Sequence, residues 1–241
     1  DEYPLRKHFY LYLLLLVSLI ASHSTFAQDL TIHPTFNNMY GGGSFDDLYA
    51  SFETADNGFI FGGKAFQNTI IGSIPDPFCG TNNSDFWVVN TDVDGNTVWD
   101  TLYGGSANDE LYDMTQTSDG GYALAGRSTS PASCDAPGGN PFVYDAWVIK
   151  IDELGNIIWT NQFGSTVGDN ARSIIETSDG GILIAGDTMN LVDNAPDYWV
   201  TKLDGTTGAI LWQSSVGGDN YDLLEVVKET TDGYFLGGYS L

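Results

Sequence analysis

This sequence is poor in positive charge. Its 241 residues carry 8 Lys and Arg against 32 Asp and Glu, a formal net charge of −24. Nucleic acid and anionic bilayers are held by neutralising their charge with Lys and Arg, so both are excluded as partners. Histidine is equally scarce. Of His8, His23 and His33, the first two fall in an N-terminal leader, and His33 stands beside Pro34 in the first few residues after it, where no framework would hold it. A Ser-His-Asp triad, a Cys-His pair or a multi-histidine zinc site needs a well-placed imidazole, so these chemistries are excluded too.

Long apolar runs are missing. The longest, Phe9 to Ala21, has 13 residues, short of the roughly 20 that span a bilayer. It follows Arg6, Lys7 and His8 and precedes Thr25-Phe26-Ala27, the layout of a secretory signal peptide over residues 1–27. Export to the cell surface or medium is therefore expected, with no membrane insertion after cleavage. No cysteine stands directly after Ala27, so a lipid-anchored lipoprotein is not expected. The chain opens on Asp1 rather than Met, so its start is expected to lie upstream.

Glycine, by contrast, is abundant: 29 residues, well above the usual share of about 7%. That favours tight turns over long helices. With 42% hydrophobic and 13% aromatic residues the chain is too apolar to stay disordered.

Repetition dominates residues 28–241. Trp87, Trp147 and Trp199 each follow an Asp by two residues (Asp85, Asp145, Asp197) and precede another by five (Asp92, Asp152, Asp204). A glycine comes next, at Gly95, Gly155 and Gly208, and four residues later a second tryptophan, Trp99, Trp159 and Trp212. Five residues on stands Gly104, Gly164 or Gly217; Phe36 and Gly41 supply a fourth copy with Phe in place of Trp. Asp46, Asp109, Asp169 and Asp222 follow, each ten residues before a turn aspartate, Asp56, Asp119, Asp179 or Asp232. These turns recur at spacings of 63, 60 and 53 residues.

Each copy, near 36–63, 85–126, 145–186 and 197–238, holds four short alternating segments separated by Asp-Gly, Gly-Asn and Gly-Gly turns, the pattern of a four-stranded antiparallel meander. One such sheet cannot bury both faces alone. The expected fold is all-β: a β-propeller of four-stranded blades, an incomplete ring or arc of about four, cut short at its C-terminus in mid-repeat. A sandwich or solenoid is the competing architecture. Asp222 to Lys228 looks closest to a helix, but its place in the repeat makes it a strand.

The recurring tryptophans read as packing between blades rather than a stacking array, and the recurring Asp46, Asp109, Asp169 and Asp222 as buried turn clamps. Asp92, Asp94 and Asn96 resemble the start of a calcium loop, and calcium is the one cofactor for which residues can be named. The bidentate Glu that closes such a loop is missing, and turn chemistry accounts for the same positions. Cys79 and Cys134 sit in the same variable loop of consecutive copies; a disulfide and two free thiols both stay open.

The run Leu203 to Trp212 resembles the tryptophan-docking motif of pyrroloquinoline-quinone-type propeller repeats. The stretch from Asp145 through Trp147, Asp152, Gly155 and Trp159 to Thr177-Ser178-Asp179-Gly180-Gly181 and Gly186 is similar to repeats of large secreted Bacteroidota-type proteins. The resemblance implies an exported or surface protein, often with a C-terminal sorting domain for type IX secretion. The cofactor and calcium ligands of quinone dehydrogenases find no match, and the sialidase Asp-box fails on its Asp-to-Trp spacing.

The favoured function is a non-enzymatic scaffold presenting the variable loops Lys64–Ser84, Arg127–Tyr144 and Thr188–Pro196 to protein or glycan. Acids unique to one copy, Asp76, Asp135, Asp187 and Asp193, are the candidate binding residues, and no catalytic residue is assigned. The alternative is a glycoside hydrolase or lyase built on two carboxylates about 5 to 9.5 Å apart.

Overall fold

The computed structural model describes residues 40, 46–66, 83–164, 167–189, 195–218 and 220–240. All lie in one compact unit, Asn38–Leu241; the other unit, Asp1–Asn37, lies outside the described residues, and with it the expected signal peptide. Strands fill the described residues of Asn38–Leu241, among which there is no helix.

The first sheet is β1 (Asp46–Glu53), β2 (Phe59–Phe66), β3 (Ser84–Thr91) and β4 (Thr97–Tyr103). The second is β5 (Asp109–Gln116), β6 (Tyr122–Ser128), β7 (Asp145–Ile151) and β8 (Ile157–Phe163). The third is β9 (Asp169–Glu176), β10 (Ile182–Met189), β11 (Pro196–Leu203) and β12 (Ile210–Val216), and a half-sheet follows in β13 (Asp222–Thr230) and β14 (Gly233–Ser240). Each sheet is an antiparallel meander in chain order. The first strands of successive sheets lie against one another, β1 on β5, β5 on β9 and β9 on β13, so they are the inner strands of an incomplete propeller. The segment from Asp222 is a strand, as the repeat required.

Alternation explains the stacking. In the second sheet Leu124, Trp147 and Ile149 join Ile60, Phe86 and Val88 of the first, with the Phe86 and Trp147 rings 4.7 Å apart. Its opposite face offers small residues, Ala123, Ala125 and Ala146, to Ile182, Ile184 and Trp199 of the third. The third repeats the device, placing Leu183, Ala185 and Val200 against Leu224 and Val227 of the half-sheet. β3 and β7 are accordingly buried along their whole length.

The two tryptophans of each copy have separate duties. Trp87, Trp147 and Trp199 are core residues. Trp99 and Trp159 sit on outer strands and reach the next sheet: Trp99 Nε1 donates to the Glu153 carbonyl (3.1 Å) and Trp159 Nε1 to that of Gly205 (3.0 Å). The ring of Trp99 lies over Gly155, whose φ of +84° and missing side chain suit both the turn and the close approach. Trp212, on β12, remains 39% exposed.

Candidate functional site

Three of the four recurring acids behave as buried structural clamps, whereas Asp46 is only half-buried. Asp109, Asp169 and Asp222 open inner strands and are buried. Asp109 Oδ2 accepts from Gly105 N (2.8 Å) and Ser130 Oγ (3.0 Å), and Asp222 Oδ2 from Gly218 N (3.0 Å). Burial pushes the Asp109 carboxyl up to about 6, against the pull of its Ser128, Gly105 and Ser130 partners. The folded pKa thus lies above the ordinary 3.8, so the fold favours the protonated form. This contribution is present below about pH 4, is lost as pH rises toward about 6, and amounts to about 3 kcal/mol. Urea midpoints are expected to fall through that window, and less steeply in Asp109→Asn. Asp119 titrates elsewhere: burial is outweighed by Thr117 and Lys150, which hold it down to about 2.

Asp92, Asp94 and Asn96 form an exposed turn. Asp92 Oδ1 accepts from the backbone N–H of Asp94 (3.0 Å) and Asn96 (2.8 Å), and the Asn96 amide donates to Asp92 Oδ2 (2.9 Å). Asp152 with Asn156 repeats this geometry. Among the described residues no group of three or more His, Cys, Asp or Glu side chains is placed to hold a metal.

Asp135 lies in the loop after β6, where its carboxylate accepts from Gly104 N (3.3 Å). Asp187, expected in a variable loop, is instead a buried residue within β10, because that strand runs on to Met189. Asp187 accepts from Asn170 Nδ2 (2.7 Å) and pairs with Arg172. Asp76 and Asp193 lie outside the described residues. Cys134 is disulfide-bonded; Cys79, the other cysteine of the sequence, lies outside the described residues.

The residues that stand out lie on the inner strands. Each first strand carries a one-residue bulge against its second strand, at Tyr49, Tyr112, Arg172 and Glu225. The bulge is built into the sequence: opposite it stand Gly63, Gly126, Gly186 and Gly238, where a Cβ would collide with a backbone carbonyl of the first strand. A bulge re-aims its extra side chain and recurs beside functional sites. Here the scaffold is the same four times while the side chain it carries changes.

Around these bulges a polar ladder crosses all four sheets. Lys64 Nζ reaches Asp47 (3.6 Å) and Glu110 (3.4 Å). Arg127 clamps Glu110 through Nε (2.9 Å) and Nη2 (2.6 Å) and donates through Nη1 to Asn170 (3.4 Å). Asn170 leads to Asp187, Asp187 to Arg172, and Arg172 to Glu225 (3.9 Å). Aromatic rings flank it: the Arg127 guanidinium lies 3.8 Å from the Tyr144 ring centroid and 5.4 Å from that of Tyr112, and Tyr49 meets Tyr112 edge-on at 6.1 Å. Burial pushes Glu110 up, but Arg127, Tyr112 and Lys64 outweigh it and hold the carboxylate below its usual range. Three of the six cations downstream of residue 27 converge on this ladder.

The variable loop after β6 contributes Tyr144, so strands and loop share one end of the sheets. Reading by repetition passed over the inner-strand residues because they do not repeat. The signal that finds them is the reverse: positions one and three beyond each clamp aspartate, where the copies read Asp47, Glu110, Asn170, Leu223 and Tyr49, Tyr112, Arg172, Glu225. No protein-family model matches the chain, and a search of curated proteins finds no match.

Proposed function

We propose that the protein is an exported β-propeller scaffold that binds a protein or glycan partner at the inner-strand end of its sheets. One observation carries this reading: four equivalent bulges of a repeated scaffold hold tyrosine twice, arginine once and glutamate once. Tyr49 and Glu225 are exposed there and Arg172 is half-buried, and tyrosine with arginine is the composition of binding hot spots. The connection that ends at Tyr144 adds to the same surface.

The carboxylate-hydrolase reading requires an acid kept protonated where substrate can reach it. Glu110 is held ionised by Arg127, and of the carboxyls that burial raises among the described residues, Asp109 and Asp145 are buried and Asp113 is engaged by the N–H groups of Ile174 and Met114 (both 2.9 Å). Binding is therefore the better-supported reading.

Arrays of glycans and of extracellular proteins test it. A bound partner is expected whose affinity falls about thirtyfold or more in Tyr49→Ala or Glu225→Ala, as for hot-spot truncations, and is unchanged in Lys228→Ala, a substitution at an exposed position of β13. A partner indifferent to the first two substitutions overturns the site, and turnover of an arrayed glycan overturns the binding-only function.

A further inference from the structure

A second site emerges from comparing equivalent positions in the second and third sheets. In the second, the space bounded by Tyr103, Gly104, Asp109, Ser128, Trp147 and β8 is covered by the connection from Thr129 to Tyr144. Ala136 enters the core there, Asp135 N donates to the Gly104 carbonyl (3.1 Å), and Gln162 takes the Gly138 N–H (3.0 Å). In the third sheet the matching connection runs from residue 190 to 195, six residues against sixteen. The matching space is a pocket of about 350 Å³ lined by Phe163, Gly164, Asp169, Thr188, Trp199 and residues 213–215.

Its chemistry is specific. Phe163 and Trp199 form an aromatic corner, with ring centroids 6.2 Å apart and planes inclined at 47°. Gln213 and Ser215 come from the exposed outer strand β12 and carry amide and hydroxyl groups able both to donate and to accept. Asp169 and Thr188 close the inner side, already hydrogen-bonded to each other. The lining includes a carboxylate and no cation. An anionic ligand is disfavoured; a neutral polyol with one apolar C–H face matches the mixture of rings, hydroxyls and amide.

We propose that this pocket is a sugar subsite that takes a neutral pyranose or the end of a neutral oligosaccharide. Its volume falls in the usual range of ligand pockets, about 300 to 1,000 Å³. It is separate from the surface around Tyr49 and Glu225, so either site can fail without the other.

Titration of the whole chain with neutral mono- and disaccharides (glucose, galactose, mannose, N-acetylglucosamine, maltose, cellobiose), followed by calorimetry, tests it, with galacturonate as the anionic comparison. At least one neutral sugar is expected to bind. Gln213→Ala is expected to weaken it about tenfold, the loss of one well-placed hydrogen bond, and Ser215→Phe to abolish it by filling the pocket. Both positions are exposed, so an unchanged urea midpoint separates lost binding from lost folding. Tyr49→Ala is expected to leave sugar binding intact. No binding by any neutral sugar, a preference for galacturonate, or affinity unchanged in both pocket variants overturns the proposal.

Discussion

Trp147→Ala is expected to destabilise the protein by about 4 kcal/mol, the range for deleting a buried indole. Trp147 is 0% exposed and packs on Phe86, and its Nε1 donates to Thr160 Oγ1 (2.7 Å). It joins the first and second sheets in one core cluster, so the cavity opens at the seam between them. The second tryptophan of the third copy gives the contrast. Trp212, 39% exposed, touches Tyr234 at a ring distance of 6.0 Å, and Trp212→Ala is expected to cost under about 1 kcal/mol. Urea unfolding of the two variants side by side checks the assignment: equal losses would mean that the tryptophans share one role.

Gly186→Ala is the second large effect. The added methyl falls on the Asn170 carbonyl oxygen, on the strand that bulges at Arg172. Backbone cannot yield as a side-chain end does, so a loss of about 3 kcal/mol is expected, the upper end for overpacking. The consequence reaches the polar ladder. A strand pushed away at this point carries Arg172 off Asp187, a buried carboxylate that then lacks its cation. Gly180→Ala makes the comparison: its Cβ would meet nothing within 4 Å, but its φ of +80° strains any other residue, so a smaller loss of about 1 kcal/mol is expected. A midpoint for Gly186→Ala at or above that of Gly180→Ala would contradict the collision.

The fold was legible because its constraints recur. Trp99 must meet the turn at Gly155 and Trp159 the turn at Gly208, and that geometry writes the constant four-residue step from glycine to tryptophan into each copy. The ends of strands were less legible. Asp187 looks like the start of a divergent loop, yet its pairing with Tyr198 continues the sheet, because a ladder stops where hydrogen bonding fails and not where side chains cease to resemble one another. The ladder was hidden for a different reason. Bulges are a property of register between two strands, and nothing in Tyr112 or Arg172 alone announces one. The pocket beside Trp199 required a further comparison, between the residues that bound equivalent spaces in two different sheets.

The direction of the contacts between sheets bears on how such a chain is assembled. Trp99 leans on residues 153 and 155, Trp159 on Gly205, and Ser118 and Ser178 are each gripped by a carboxylate from the following sheet, Glu176 and Glu229. Each of the first three sheets is thus finished by residues roughly fifty positions further along. A polypeptide emerging N-terminus first is therefore expected to trail one unfinished sheet, with a bare indole on its outer strand, and each newly emerged copy to seal the one before it. Completion is expected to run like a zip drawn from the N-terminal side, one repeat behind the point of emergence.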